Sequence, residues 1–247
     1  MKIGIIGGSG LDDPHILENP RDYEADTPYG APNSTLREGK IGDRTVVLLA
    51  RHGRSHTATP TNVNYRANVH ALREMGCSVI LATTAVGSLR EEIGRGDLVI
   101  LDQFIDFTRL RPLSFHDRFK PHEPVHTPMA EPFSPKLRAI LHEACEKFGY
   151  RHHKTGTVVT IEGPRFSTRA ESNMFRMWGA DVINMSVATE CALANEAGVP
   201  YAAVAMSTDY DCWKVDEEPV TWDEILRIFN ENAKKVTDVL IEAIARI

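Results

Sequence analysis

Two carboxylates, Asp209 and Asp211, stand two residues apart in STDYDCW. Like charges this close favour one retained proton, so the pair can accept from an exocyclic amine and donate toward a ring nitrogen. Adenine offers both groups; a solvated acidic turn is the plain alternative. A second stretch, ARHGRSH, places Arg51 and His52 after an apolar run. Arg51 brings a planar fork suited to phosphate and His52 a further donor, although an arginine in such a place is often simply ion-paired. GIIGGSG runs into a glycine-rich turn whose amides and the Ser9 hydroxyl can cradle a phosphate. TTAVGSL ends a strand in two hydroxyls and a glycine, so Thr84 and nearby backbone amides can do the same. TIEGPRFSTRAE offers Phe166 to stack on a flat base, and Ser167 either to touch that base or to cap a helix. NMSVATE offers Met185 to a sugar and Ser186 to an anion, though a methionine in this setting is more often core.

Other chemistries fit these residues poorly. The spacing GxGxxG is absent, and the strand-like run 45–50 ends in Arg51 rather than the acid expected of a dinucleotide site. His52 and His56 have the spacing of a helical metal pair, but Gly53 lies between them and no acidic partner is near, so a loop without metal is expected. The four cysteines, Cys77, Cys145, Cys191 and Cys212, form no CxxC pair and are expected as free thiols in a reducing cytoplasm.

The elements that must position these groups alternate. Apolar, β-type runs occur at 2–6, 45–50, 78–81, 98–101, 156–161, 182–185 and 202–206. Helical patterns lie between them at 63–75, at 135–148 with Ser134 as cap and Gly149 as stop, and at 169–178. A long helical stripe follows Thr221, which forms a TxxE cap with Glu224. This order predicts one α/β domain over 1–247, with a parallel or mixed twisted sheet between helices. Ligand loops in such sheets gather beyond the carboxyl ends of the strands, which is where the six stretches fall. The segment 107–133 carries five prolines with no period and is expected to serve a site or an interface.

The chain has 247 residues, 42% of them hydrophobic and 25% charged, as ordinary globular proteins do. A net charge of -6 argues against a nucleic-acid partner. The amino-terminal apolar stretch is too short for a signal peptide and no run approaches a membrane span, so a cytoplasmic protein without a membrane partner is expected.

Taken together, GGSG, ARHG, TTAVGSLRE, VTIEGPRFSTRAE, DVINMS and MSTDYDCW resemble the methylthioadenosine phosphorylases, a branch of the trimeric purine nucleoside phosphorylases, over nearly the whole chain. The resemblance implies a mixed-sheet phosphorylase fold that transfers a pentosyl group to inorganic phosphate as co-substrate, with no metal or redox cofactor. It implies Ser9, Arg51, His52, Thr84, Ala85 and Ser186 as phosphate ligands, Met185 at the ribose, and Phe166, Ser167, Asp209 and Asp211 at the base. The DYD segment distinguishes adenine-directed members from relatives acting on 6-oxopurines, which commonly carry Asn there. A homotrimer is implied too, with His126 in the place of a histidine that reaches a neighbouring subunit's nucleoside. Trp222, Ile225 and Leu226 would wall the 5' pocket. Two residues depart from the pattern: Trp222 replaces a smaller aliphatic residue, and Thr189 replaces a proline before Glu190. Broader purine nucleoside phosphorylases, a methylthioinosine phosphorylase, and a nucleoside-binding module without catalysis are the other readings of the same motifs.

Overall fold

Strand β1 (Lys2–Gly7) sits at the centre of a twisted sheet, apolar at nearly every position because both of its faces are covered by helices. The computed structural model describes residues 1–7, 16–216 and 221–247. β2 (Glu18–Tyr23) and β3 (Leu36–Ile41) form an antiparallel margin leading to β4 (Arg44–Ala50), which runs parallel to β1. On the other side of β1 lies the long β5 (Cys77–Ser88). Then come β6 (Leu98–Ile100), β7 (Gln103–Phe107), β8 (His152–His153), β9 (Thr157–Ile161), β10 (Val182–Asn184) and β11 (Tyr201–Tyr210). The order β2-β3-β4-β1-β5-β10-β9-β7 carries parallel and antiparallel pairs, and β11 also pairs with β5, so the α/β mixed-sheet expectation holds in a single domain.

Two helix layers cover the sheet. α1 (Tyr65–Glu74) and α4 (Val187–Glu196) close one apolar core that includes Leu72, Val86, Val187 and Leu193. α2 (Pro135–Phe148) and α5 (Trp222–Arg246) close the other, with Leu141, Met206, Phe229 and Leu240. α3 (Arg169–Met177) seals a smaller cluster around Phe175 and Val159. Ser134 caps α2 and Gly149 ends it in the left-handed region at φ 65°, as the sequence pattern predicts. Thr221 caps α5 by accepting from the Glu224 amide.

Several boundaries differ from expectation, and two of them shape the site. TTAVGSL is not a strand followed by a turn; β5 continues through Ser88. Likewise β11 does not stop at Met206 but runs on to Tyr210, so Asp209 belongs to a strand. The consequence lies beside β5. Residues 2–6 of β1 pair with β5 as far as Ala82, and β10 takes up the same edge only at Gly87. From Thr83 to Val86 that edge has no strand neighbour among the described residues, and the sheet opens into a crevice at this change of partners.

Candidate active site

The crevice is a cleft of about 150 Å³. Five of the six predicted stretches line it. Arg51 and His52 enter from the end of β4, Thr84 and Ala85 from the open edge of β5, and Met185 and Ser186 from the end of β10. Phe166 and Ser167 enter from the β9–α3 connection, Asp209 from β11, Asp211 from just past its end, and Ile225 from the first turn of α5. Ser9, the phosphate ligand expected from the glycine-rich turn, lies outside the described residues, as does the side chain of Trp222. Leu226 does not line the cleft: one residue further along α5 the side chain turns about 100° away, and among the described side chains of α5 only Ile225 faces in. His126 lies on the exposed segment 116–126 and does not line the cleft of its own chain; its ring is 5.7 Å from Phe119.

At one end stands a buried polar cluster. Arg51 is 2% exposed, and its fork faces protein: Nε and Nη2 donate to the Glu190 carboxylate, and Nη1 donates to the Thr83 carbonyl at 3.0 Å. The expectation of an arginine fork free for phosphate is therefore corrected. Burial alone would lower the guanidinium's pKa, but Glu190 more than offsets it and the cation is retained. Three of its five N–H groups are spent, so Arg51 can offer an anion its remaining donors and its charge. Glu190 also accepts from the Tyr201 hydroxyl at 2.8 Å.

His52 requires a second correction. Its Nδ1 lies 2.9 Å from the Ala58 carbonyl, which can only accept, so Nδ1 carries the proton. Burial, then the charge of Arg51, pushes the imidazolium pKa down to about 4. At neutral pH the ring is uncharged and its Nε2 is an acceptor, not the donor expected from sequence.

Asn184, unassigned in the sequence reading, organises the neighbouring wall. Its Nδ2 donates to Thr84 Oγ1 at 3.2 Å, and its Oδ1 accepts from Thr160 Oγ1 at 2.8 Å. Ser186 is the N-cap residue of α4 but makes no side-chain cap bond, which leaves its hydroxyl beside the positive end of that helix. Thr189 is fully buried within a regular first turn.

The opposite end is acidic. Asp209 is 6% exposed, and burial, with a smaller contribution from Asp211, raises its pKa to about 6; the Thr208 hydroxyl, donating to Oδ1 at 2.7 Å, opposes the rise. Burial thus outweighs the like-charge repulsion expected from spacing. Asp211 is also raised by burial, but its Oδ2 accepts from Ser167 Oγ at 2.7 Å, which favours its charged form. Ser167 is not a helix cap. Thr168 holds that position in a full capping box with Glu171, leaving Ser167 to face Asp211. Phe166 stands at the rim, about half exposed, and half-buried Met185 lies between the two ends.

Arg51 and Asp209 therefore open onto one cavity, with a cationic cluster at one end and a carboxyl pair at the other. Among the described residues no group of three or more metal-binding side chains occurs, and no helix is long and apolar enough to cross a membrane. The four cysteines are free thiols.

The chain is similar to known proteins over nearly its whole length. The family model of the phosphorylase superfamily matches residues 2–245. S-methyl-5'-thioadenosine phosphorylase of Danio rerio is 56% identical over 249 residues, covering 100% of this chain and 89% of the relative. That of Anopheles gambiae is 51% identical over 248 residues, with 100% and 89% covered. Among solved structures, methylthioadenosine phosphorylase from Schistosoma mansoni in complex with adenine superposes with a TM-score of 0.94 at 44% identity, covering 99% of this chain and 91% of that one. A variant of the adenosine/methylthioadenosine phosphorylase from the same organism, in complex with methylthioadenosine, gives a TM-score of 0.93 at 42% identity, with 99% and 91% covered. With the match running almost end to end, the chain belongs to the phosphorylase superfamily, within the family of the S-methyl-5'-thioadenosine phosphorylases.

Proposed function

We propose that the chain catalyses phosphorolysis of 5'-methylthioadenosine to adenine and 5-methylthioribose 1-phosphate. The observation that carries this reading is the single cleft with a cationic, hydroxyl-rich end and a carboxyl pair at the other. Phosphate would lie near Arg51, Thr84, Ala85 and Ser186, at the amino end of α4, with His52 Nε2 accepting from its P–OH. The ribose would lie against Met185. From there an oxygen of phosphate attacks C1' as the C1'–N9 bond breaks with oxocarbenium character. Holding the anion beside developing positive charge is the main catalytic effect. Asp209, in its protonated form or through a water, would donate toward N7 of departing adenine, and Asp211 would accept from its N6 amine. Ile225 would form part of the 5' wall. No metal or redox cofactor enters this scheme.

The reading extends to a cytoplasmic homotrimer in which His126 reaches the cleft of a neighbouring subunit. In support, the Pro-rich segment is an anchored arm. Glu196 accepts from Ser114 Oγ and the Phe115 amide, and Arg66 pairs with Asp117, whereas Phe119, Val125 and His126 beyond these ties are exposed. Incubation with methylthioadenosine should release adenine only when inorganic phosphate is present. Release without phosphate would indicate a hydrolase, and no release a binding module. Parallel turnover of adenosine and inosine separates this activity from a broader purine nucleoside phosphorylase, and sedimentation gives the subunit number.

A further inference from the structure

Arg111 lies in the arm yet is buried, with its side chain 0% exposed, and has no part in the scheme above. Its Nε donates to Glu162 Oε1 at 3.0 Å and its Nη2 to the Glu162 carbonyl at 2.6 Å. Nη1 donates to the Met185 carbonyl at 2.7 Å and to the Tyr65 hydroxyl at 3.0 Å. A longer contact, 3.4 Å, reaches the Ile161 carbonyl. Tyr65 in turn donates to the carbonyl of Pro60, a residue of the cleft wall, at 2.9 Å.

These acceptors matter because of where they stand. Backbone pairing between β9 and β10 ends at Thr160 and Asn184. Past that point the guanidinium replaces the ladder, collecting carbonyls from Ile161 and Glu162 on one strand exit and from Met185 on the other. The first exit leads to Phe166 and Ser167, on the base side of the cleft, and the second leads directly to Ser186, on the phosphate side. The other oxygen of Glu162 accepts from the amides of Arg109 and Leu110 at 2.6 and 3.0 Å, so the same ion pair fixes the root of the arm. A planar group with donors at fixed angles holds such a set of acceptors at fixed separation, which a single flexible ammonium cannot do.

We infer that Arg111 is a positioning residue that sets the separation between the base wall and the phosphate cradle, and so the geometry in which phosphate meets the nucleoside. The inference rests on the phosphorolysis reading above. Its test compares Arg111→Lys and Glu162→Gln with the wild type in thermal unfolding, in adenine binding to count sites, and in steady-state kinetics with methylthioadenosine and phosphate both varied. Arg111→Lys should lower kcat per adenine-binding site by about 10- to 100-fold, the loss that a misplacement near 1 Å produces. It should raise both KM values together while adenine binding alone stays close to wild type. Glu162→Gln, which leaves the carbonyl contacts in place, should show a smaller loss in the same direction and stands in if the lysine variant does not fold. A lowered melting temperature or fewer sites, with kcat per site and both KM values unchanged, would overturn the inference and leave Arg111 a structural tie. Wild-type protein that releases no adenine in a phosphate-dependent way would instead overturn the functional reading.

Discussion

The Ser167 hydroxyl donates to Asp211 Oδ2 across 2.7 Å, whereas Asp209, buried to the same extent, accepts from its neighbour Thr208 and has a pKa raised to about 6. Burial favours the proton on both carboxyls, and each accepted hydrogen bond favours the charge. Ser167→Ala should therefore push Asp211 toward its neutral form and weaken its grip on an amine. A hydrogen bond to a charged group contributes about 1.5–3 kcal/mol, so kcat/KM for methylthioadenosine should fall by roughly 10- to 100-fold. A loss of that size for a nucleoside with a 6-amine, and not for a 6-oxo one, is the result to look for.

Asp209→Asn should weaken adenine nucleosides, by about 100-fold if proton donation is lost, and shift preference toward 6-oxopurines. Unchanged preference would remove Asp209 from base recognition. The pH dependence has a definite sign. The active form is the protonated acid, so turnover of methylthioadenosine should fall as pH rises through about 6, and this limb should vanish in the variant. Stability follows the same proton. The folded-state pKa lies above the ordinary value of 3.8, so stability from this group is fully present below about pH 4 and is lost as pH rises through about 6. Above that pH the uncharged Asn variant should be the more stable protein, by on the order of 2–3 kcal/mol. Thermal unfolding at pH 5 and pH 8 measures the difference.

The sequence makes the strand ends and the capped helices visible because their signals are local: Ser134, Pro135 and Gly149 bound α2 by chemistry within a few residues. What it hides is decided by contacts between distant residues. Gly87 reads as a turn glycine, yet β5 passes straight through it, and a Cβ there would lie 3.1 Å from Ile183 and 3.2 Å from the Asp209 carboxylate. Glycine is present to let that carboxylate approach the strand, a reason that exists only in the folded sheet. Helix α4 shows no amphipathic stripe because it is covered nearly all round, from Val187 to Ala194. The pairing of Arg51 with Glu190 spans 139 residues, and no spacing rule points from one to the other. The same holds for His52, whose role as an acceptor depends on where the Ala58 carbonyl lies.

That acceptor makes a prediction about anions. A cleft-facing nitrogen with no proton to give favours an oxyanion that brings its own hydroxyl, as hydrogen phosphate does and sulfate does not. Sulfate should therefore compete with phosphate poorly, by at least roughly tenfold in affinity, the cost of leaving that acceptor facing an oxygen lone pair. His52→Gln, whose side-chain amide can turn a donor toward the anion, should narrow that gap. Inhibition constants for sulfate against phosphate, wild type beside variant, decide the matter. Equal discrimination in both would mean that His52 Nε2 does not face the anion.

Glu190→Gln tests the cationic end of the cleft. Arg51 and Glu190 have side chains 2% and 1% exposed, and such a pair is held by mutual compensation. Removing one charge leaves the other buried without a counter-ion, which costs about 3–5 kcal/mol. The melting temperature should fall accordingly, and the Tyr201 hydroxyl loses a charged acceptor as well. The cation so released would sit beside the place assigned to phosphate. Inorganic phosphate should then raise the melting temperature of the variant more than that of the wild type, because only in the variant does the anion compensate an unpaired arginine. Catalysis should not recover with stability. A phosphate drawn onto the freed fork of Arg51 would be held by an atom set that Glu190 normally occupies, away from the line of attack on C1'. Phosphate that stabilises both proteins equally would show that Arg51 does not face the anion at all, and its place in the cradle would pass to the backbone amides of β5 and the amino end of α4.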